Sequence, residues 1–211
     1  MPVFYDGEVR IHRVEMGPYG NNGYLVVAPD AGEAVIVDAP AEPEKLLAEG
    51  GGVRVHAILI THTHMDHLRG LEALRRATGA PVMLHPGDAE RVPGPTLPLA
   101  DGQTVAVGGA ALTVLHTPGH TPGSSCFLVG RHLFSGDTLF PGGPGRTRTP
   151  EDFLRIVESI TARLLTLPDD TVVLPGHGRD TTLGQAKEEY RVFASREHPR
   201  DLCGDVEWLR S

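Results

Sequence analysis

Short apolar runs open the chain, and a helical spacing then takes over. The segments "VRIHRVEM" (9–16), "YLVVAP" (24–29), "AVIVDA" (34–39) and "VHAILIT" (55–61) are rich in β-branched residues and bounded by Gly, Pro, Asn and Asp, which predicts four strands. From residue 66 the period lengthens. In "DHLRGLEALRRATG", Leu68, Leu71 and Leu74 recur at helical spacing, with Asp66 placed as N-cap and Gly79 as C-cap. The second half is patterned in the same way, with "TVAVGGAALTVLHT", "SSCFLV" and "RHLFSG" reading as strands and "PEDFLRIVESITARLLTL" as an amphipathic helix opened by Pro150. "TVVLPGHG" is a short buried strand feeding a turn, and "LGQAKEEYRVFASR" is a closing helix.

Strands alternating with helices predict an α/β fold, in which chemistry collects on the loops at strand ends. The residues at such places are conspicuous. "THTHMDHLRG" sets His62, His64, Asp66 and His67 on a strand-to-helix turn, a crowding that marks a metal site more than a solvated loop. An internal echo adds to it: "LHTPGH" and "VLPGH" each end an apolar strand in Pro-Gly-His, delivering His120 and His177 to rigid loops. Asp137 stands in a further strand-end turn, "FSGDTLF". Five imidazoles and two carboxylates make two metal-binding sets, a donor chemistry suited to zinc, iron or manganese. Of the other histidines, His85 and His116 lie beside these motifs and are expected to be structural or to support a ligand from behind, while His12, His56, His132 and His198 are expected as ordinary surface or core residues.

Composition narrows the picture further. A chain of 211 residues suits one domain spanning 1–211, and 40% hydrophobic with 22% charged residues describes a globular protein. The formal net charge of -8 disfavours a broad nucleic-acid surface while leaving room for a small anionic substrate. Two cysteines, Cys126 and Cys203, are too few for a disulfide framework and are read as reduced. The N-terminus has no signal-peptide pattern and no run reaches membrane-spanning length, so the expected protein is soluble, cytoplasmic and unattached to membranes. No pattern sets an oligomeric state.

"THTHMDH", "PGH" at 118–120, "GD" at 136–137 and "PGH" at 175–177, in that order, resemble the metallo-β-lactamase superfamily from about "NNGYLV" to "TTLGQAKEEY". The resemblance implies a four-layer αββα sandwich with two divalent metal ions, most commonly zinc, at one edge of the two sheets. It assigns His62, His64 and His120 to one metal, Asp66, His67 and His177 to the other, and Asp137 to both, with Asp38 of "IVDAP" orienting a ligand histidine. The implied reaction is hydrolysis, a metal-bridging hydroxide attacking a carbonyl while Asp66 accepts a proton.

"GDTLFPGGPGRTRTPEDF" is most similar to the hydroxyacylglutathione hydrolase (glyoxalase II) branch, which implies a thioester substrate and makes Arg146 its anion-binding residue. The aromatic pair that follows the basic residue in glutathione-binding members is missing, the loop continuing here as Thr147, Arg148 and Thr149, so recognition of glutathione itself is left open. An alternative from the same resemblance is a persulfide dioxygenase with one iron on His62, His120 and Asp137. A lactonase or other ester hydrolase of this fold is a further one.

Overall fold

The computed structural model describes residues 3–7 and 9–211. Strands β1 (Val3–Asp6), β2 (Val9–Met16), β3 (Asn21–Ala28), β4 (Glu33–Val37), β5 (Arg54–Leu59), β6 (Val82–Leu84) and β7 (Leu97–Pro98) form one sheet in sequential order. It is antiparallel through β4 and parallel from β4 to β7.

A second sheet holds β8 (Thr104–Val107), β9 (Ala110–His116), β10 (Ser125–Val129) and β11 (His132–Gly136); beyond a small hairpin of β12 (Leu139–Phe140) and β13 (Gly143–Pro144), the chain adds β14 (Val172–Pro175) and β15 (Thr181–Thr182). Its order is β15-β14-β11-β10-β9-β8, with β11 and β14 parallel.

Alternation along the strands builds the layers. In β4, Val35 and Val37 face the second sheet, where Leu112, Val114, Phe127 and Phe134 meet them. Ala34 and Ile36 point the other way, onto α1 (Pro43–Glu49) and α2 (Leu71–Thr78) through Leu46, Leu71 and Leu74. The outer face of the second sheet, with Leu133 and Val173, is covered by α3 (Pro150–Ser159) and α4 (Leu183–Ala194) through Phe153, Ile156, Leu183 and Phe193. Three apolar interfaces between four layers make the αββα sandwich. β3 is buried at all eight positions because it is covered on both faces, which explains its unbroken apolar run.

The helix expected from residue 66 begins five residues later. Asp66 lies in a 3-10 turn, Met65–His67, and Gly70 takes the N-cap position of α2. The cause is tertiary: the His67 carbonyl accepts from Ala39 N–H and Gly70 N–H donates to the Ala39 carbonyl, so this backbone is held by the end of β4 and not by a helix. Gly79 does end α2, at φ 66. The helix expected over 150–167 runs as α3 and then loosens into a π-helical turn at Ile160–Leu164. "TVAVGGAALTVLHT" is two strands joined at Gly108 and Gly109.

The parallel pairs position the site. Val37 pairs with Leu59 and Gly136 with Pro175, so the C-terminal ends of β4, β5, β11 and β14 lie level across the two sheets. Asp38, Thr61–His67, Asp137 and Gly176–His177 emerge there together. Among the described residues, no helix is long and apolar enough to cross a membrane.

Candidate metal centre

All seven residues expected at the site meet at this edge. Their donor atoms form three overlapping sets, each with every atom within 4.8 Å of the others: His62, His64 and His120; His62, His67 and Asp137; Asp66, His67 and His177. Asp137 sits between the two histidine groups. Its Oδ2 lies 3.6 Å from His120 Nε2, 3.9 Å from His62 Nε2 and 3.7 Å from His177 Nε2, and its Oδ1 lies 3.4 Å from His67 Nε2.

Three of the imidazoles are aimed by what holds their other nitrogen. His67 Nδ1–H donates to Asp38 Oδ2 at 2.9 Å, His120 Nδ1–H to the Arg146 carbonyl at 2.8 Å, and His177 Nδ1–H to the Tyr19 carbonyl at 3.2 Å. In all three, Nε2 is left to face inward. Asp38 is fully committed: it also accepts from Thr61 N–H and Thr61 Oγ1–H, both at 2.8 Å. It occupies left-handed backbone at φ 62, a conformation that aspartate tolerates better than most residues.

This geometry asks for a cation. His67 Nε2 and His177 Nε2 are 3.3 Å apart, and His64 Nδ1 stands 3.1 Å from His62 Nε2 and 2.9 Å from His120 Nε2. One Nδ1–H on His64 satisfies only one of its two neighbours, so lone pairs oppose each other across the site. Asp137 Oδ1 is buried without a hydrogen-bond partner. Carboxylate oxygens and imidazole nitrogens converging in this way fit divalent metals such as zinc or iron.

Electrostatics within the cluster agree. Burial, then His67, push His62 well below the ordinary histidine range, and burial with His120 lowers His64. His67 goes the other way: burial opposes its charge, but Asp38 and Asp137 outweigh it and raise it well above the ordinary value. For Asp137, burial is likewise outweighed by His67, His62 and His120, and the carboxyl is held far below the usual range. His177 holds Asp66 low against burial, helped by Asn21, and Asp66 in turn raises His177 against its own burial.

Sequence reasoning missed the residues that hold the two sheets in register here. Asn21 Nδ2–H donates to Asp66 Oδ2 at 2.9 Å, and Asn22 Nδ2–H reaches the Pro175 and Gly178 carbonyls at 3.0 and 2.8 Å. Tyr24 O–H, kept protonated by burial, donates to the Pro175 carbonyl at 2.6 Å. The available signal was the pair of amides opening "NNGYLV", directly before an apolar strand. Gly176 is required by close approach, since a Cβ there would lie 2.4 Å from Asp137 Oδ1 and 2.6 Å from His67 Cε1.

Arg146 reaches the site through its backbone. Its guanidinium is 71% exposed, 3.7 Å from Asp205, on the rim of an open cleft of ≈ 590 Å³ that His64, His120, Thr147, Arg148 and Cys203 also line. None of the six remaining histidines belongs to a donor set among the described residues. His85 and His116 stack on each other at 3.7 Å, and His198 stacks on Phe193 at 3.8 Å. Cys126 is buried and Cys203 partly so, both as free thiols.

Comparison with known proteins points the same way. The family model of the metallo-beta-lactamase superfamily matches residues 16–177. A hydroxyacylglutathione hydrolase of Anaeromyxobacter dehalogenans is 42% identical over 161 residues, covering 75% of this chain and 62% of that enzyme, so the chain spans under two thirds of that relative's length. Among solved structures, TTHA1623 in a di-iron-bound form is 37% identical with a TM-score of 0.72, covering 83% of this chain and 96% of that one. ETHE1 from Myxococcus xanthus is 28% identical with a TM-score of 0.78, covering 89% of this chain and 85% of that one.

Proposed function

The chain belongs to the metallo-β-lactamase superfamily, and from that membership we propose a dinuclear metal-dependent hydrolase of small anionic thioesters, working in the cytoplasm as one domain over residues 1–211. The observation that carries this reading is the convergence of seven donors into sets that overlap at His62 and His67, with Asp137 standing within 3.9 Å of His62, His67, His120 and His177. His62, His64 and His120 would hold one ion and Asp66, His67 and His177 the other, with zinc the first choice of metal. Two divalent cations so placed supply Lewis acidity to a carbonyl and bring the ionisation of a water near neutral pH.

The protein's own groups do the rest. Asp38 and the Arg146 and Tyr19 carbonyls fix the imidazoles before substrate arrives, which removes reorganisation from the reaction. Asp66 is partly exposed at the mouth of the site, kept ionised by His177 and Asn21, and accepts the proton released as the nucleophile attacks. Arg146 and Arg148 border the cleft and favour an acyl or thiol portion that carries negative charge.

A second reading draws on one distance set. Asp137 Oδ2 is within 3.9 Å of both His62 and His120, so two imidazoles and one carboxylate converge as in mononuclear iron oxygenases. Replacing His177 by Ala separates the two. The hydrolase reading expects thioester hydrolysis to be nearly abolished and one metal per chain lost; unchanged iron content with persistent persulfide-dependent oxygen uptake would favour the oxygenase.

A further inference from the structure

Residues 137–146 form a loop with Asp137 at its start and, at its end, the Arg146 carbonyl that accepts from His120. What holds the tip of this loop comes from elsewhere in the chain. Gly142 is gripped on both sides: its N–H donates to Glu189 Oε2 at 2.9 Å, and its carbonyl accepts from Trp208 N–H at 2.8 Å. Glu189 is buried on α4, and its other oxygen accepts from Gln185 Nε2 at 3.0 Å. Trp208 is fully buried, edge-on to Tyr190 at 5.2 Å. Gly143 touches the same segment, since at φ 153 its Cβ position would lie 2.8 Å from the Val206 carbonyl. Gly204 and Thr147 exchange backbone hydrogen bonds at 3.1 and 3.2 Å, closing the strap over the end of the loop.

We propose that Glu189 and the C-terminal strap, residues 203–208, are positioning elements of the metal centre, acting through Gly142 on Asp137 and on the carbonyl that orients His120. The proposal rests on the metal-centre reading of the seven donors. A glycine-rich turn has little conformational preference of its own, so its shape is set by its partners. Glu189 supplies a buried acceptor for the Gly142 N–H, and without it Gly142 has to seek another partner, carrying β12, β13 and both ends of the loop with it. A carboxylate is not required for this task. An amide oxygen accepts equally well, and Glu189→Gln retains one for Gly142 while its NH2 donates to Gln185, whose own amide turns over to present its oxygen.

Titration of the metal-free protein with Co²⁺, followed by its visible absorption, tests the proposal without any assay of turnover. Leu74→Ala serves as the control: Leu74 is buried on α2 under the other sheet, so its loss lowers Tm without touching the loop. Expected is a loss of cobalt affinity of about tenfold or more in Glu189→Ala, in the range for residues that hold metal ligands, and no change in Leu74→Ala. Glu189→Gln is expected to restore affinity to within about threefold of wild type. Wild-type affinity in Glu189→Ala, an equal loss in Leu74→Ala, or failure of Glu189→Gln to rescue would each overturn the proposal. Should Glu189→Ala not fold, Gly143→Ala, which presses the strap away from the loop's other side, is judged by the same criteria. A wild type that takes up no cobalt would overturn the metal-centre reading, and this proposal with it.

Discussion

Single residues specify the centre through what each ligand's far side touches. Asp38 accepts three hydrogen bonds and donates none, from Thr61 N–H, Thr61 Oγ1–H and His67 Nδ1–H. Asp38→Asn turns one oxygen into a donor facing donors, so His67 loses its fixed tautomer. Metal affinity should fall about 10- to 100-fold, read by competition with a chelator. Protons compete for the same nitrogens. Burial in the metal-free fold is outweighed at His67 by Asp38 and Asp137 and at His177 by Asp66, so both hold protons more tightly than ordinary histidines and a metal ion competes with those protons. Affinity therefore rises with pH through and beyond the ordinary histidine value of 6.5, and proton release accompanies binding. Calorimetry in two buffers of different ionisation enthalpy measures that release, and identical heats in both would rule it out. The seven donors that meet at this edge were legible in the sequence because each lies in a short motif at a strand end. Arg146 was legible only as a position, since nothing local told that its carbonyl would hold His120 and that its guanidinium would meet Asp205.

Among the elements, the strands and most helices could be read from periodicity, because alternation and helical spacing record which faces are covered. The start of α2 could not. Its position is decided by Ala39, which holds the backbone of His67 and Gly70 from a different strand end. The Asn21–Tyr24 clamp was equally hidden, because its partners at Pro175 and Gly178 are more than 150 positions away along the chain. Asn22 binds both carbonyls from full burial, and it joins the two sheets beside the site. Asn22→Ala removes two hydrogen bonds, one to the Gly178 carbonyl and one to the Pro175 carbonyl, which keeps the Tyr24 hydroxyl, at a cost of about 1–3 kcal/mol measurable by denaturant titration of the metal-free protein. Its hydrogen-exchange protection should fall first at residues 176–178. A loss confined to the helices would speak against the clamp.

The molecule is acidic and its site is not. The net charge of -8 is spread over a surface whose cleft rim carries Arg146 and Arg148, so attraction of an anion is a local feature opposed by the protein at large. Arg146 is exposed and already near Asp205, which limits its contribution to roughly 1 kcal/mol or less, as for other surface ion pairs. Arg146→Ala should therefore raise KM for an anionic thioester about fivefold at low salt with kcat little changed, an effect that fades as ionic strength rises. Neutral thioesters should show no such change.

On the hydrolase reading, turnover needs two metal ions, and the seven donors would hold both. The rate of thioester hydrolysis by metal-free protein, followed as Zn²⁺ is added in known equivalents, decides the matter. Little activity is expected through the first equivalent, then a rise that levels off at two per chain. Full activity at one equivalent, or none at any zinc level with a panel of anionic thioesters, would overturn the two-metal reading.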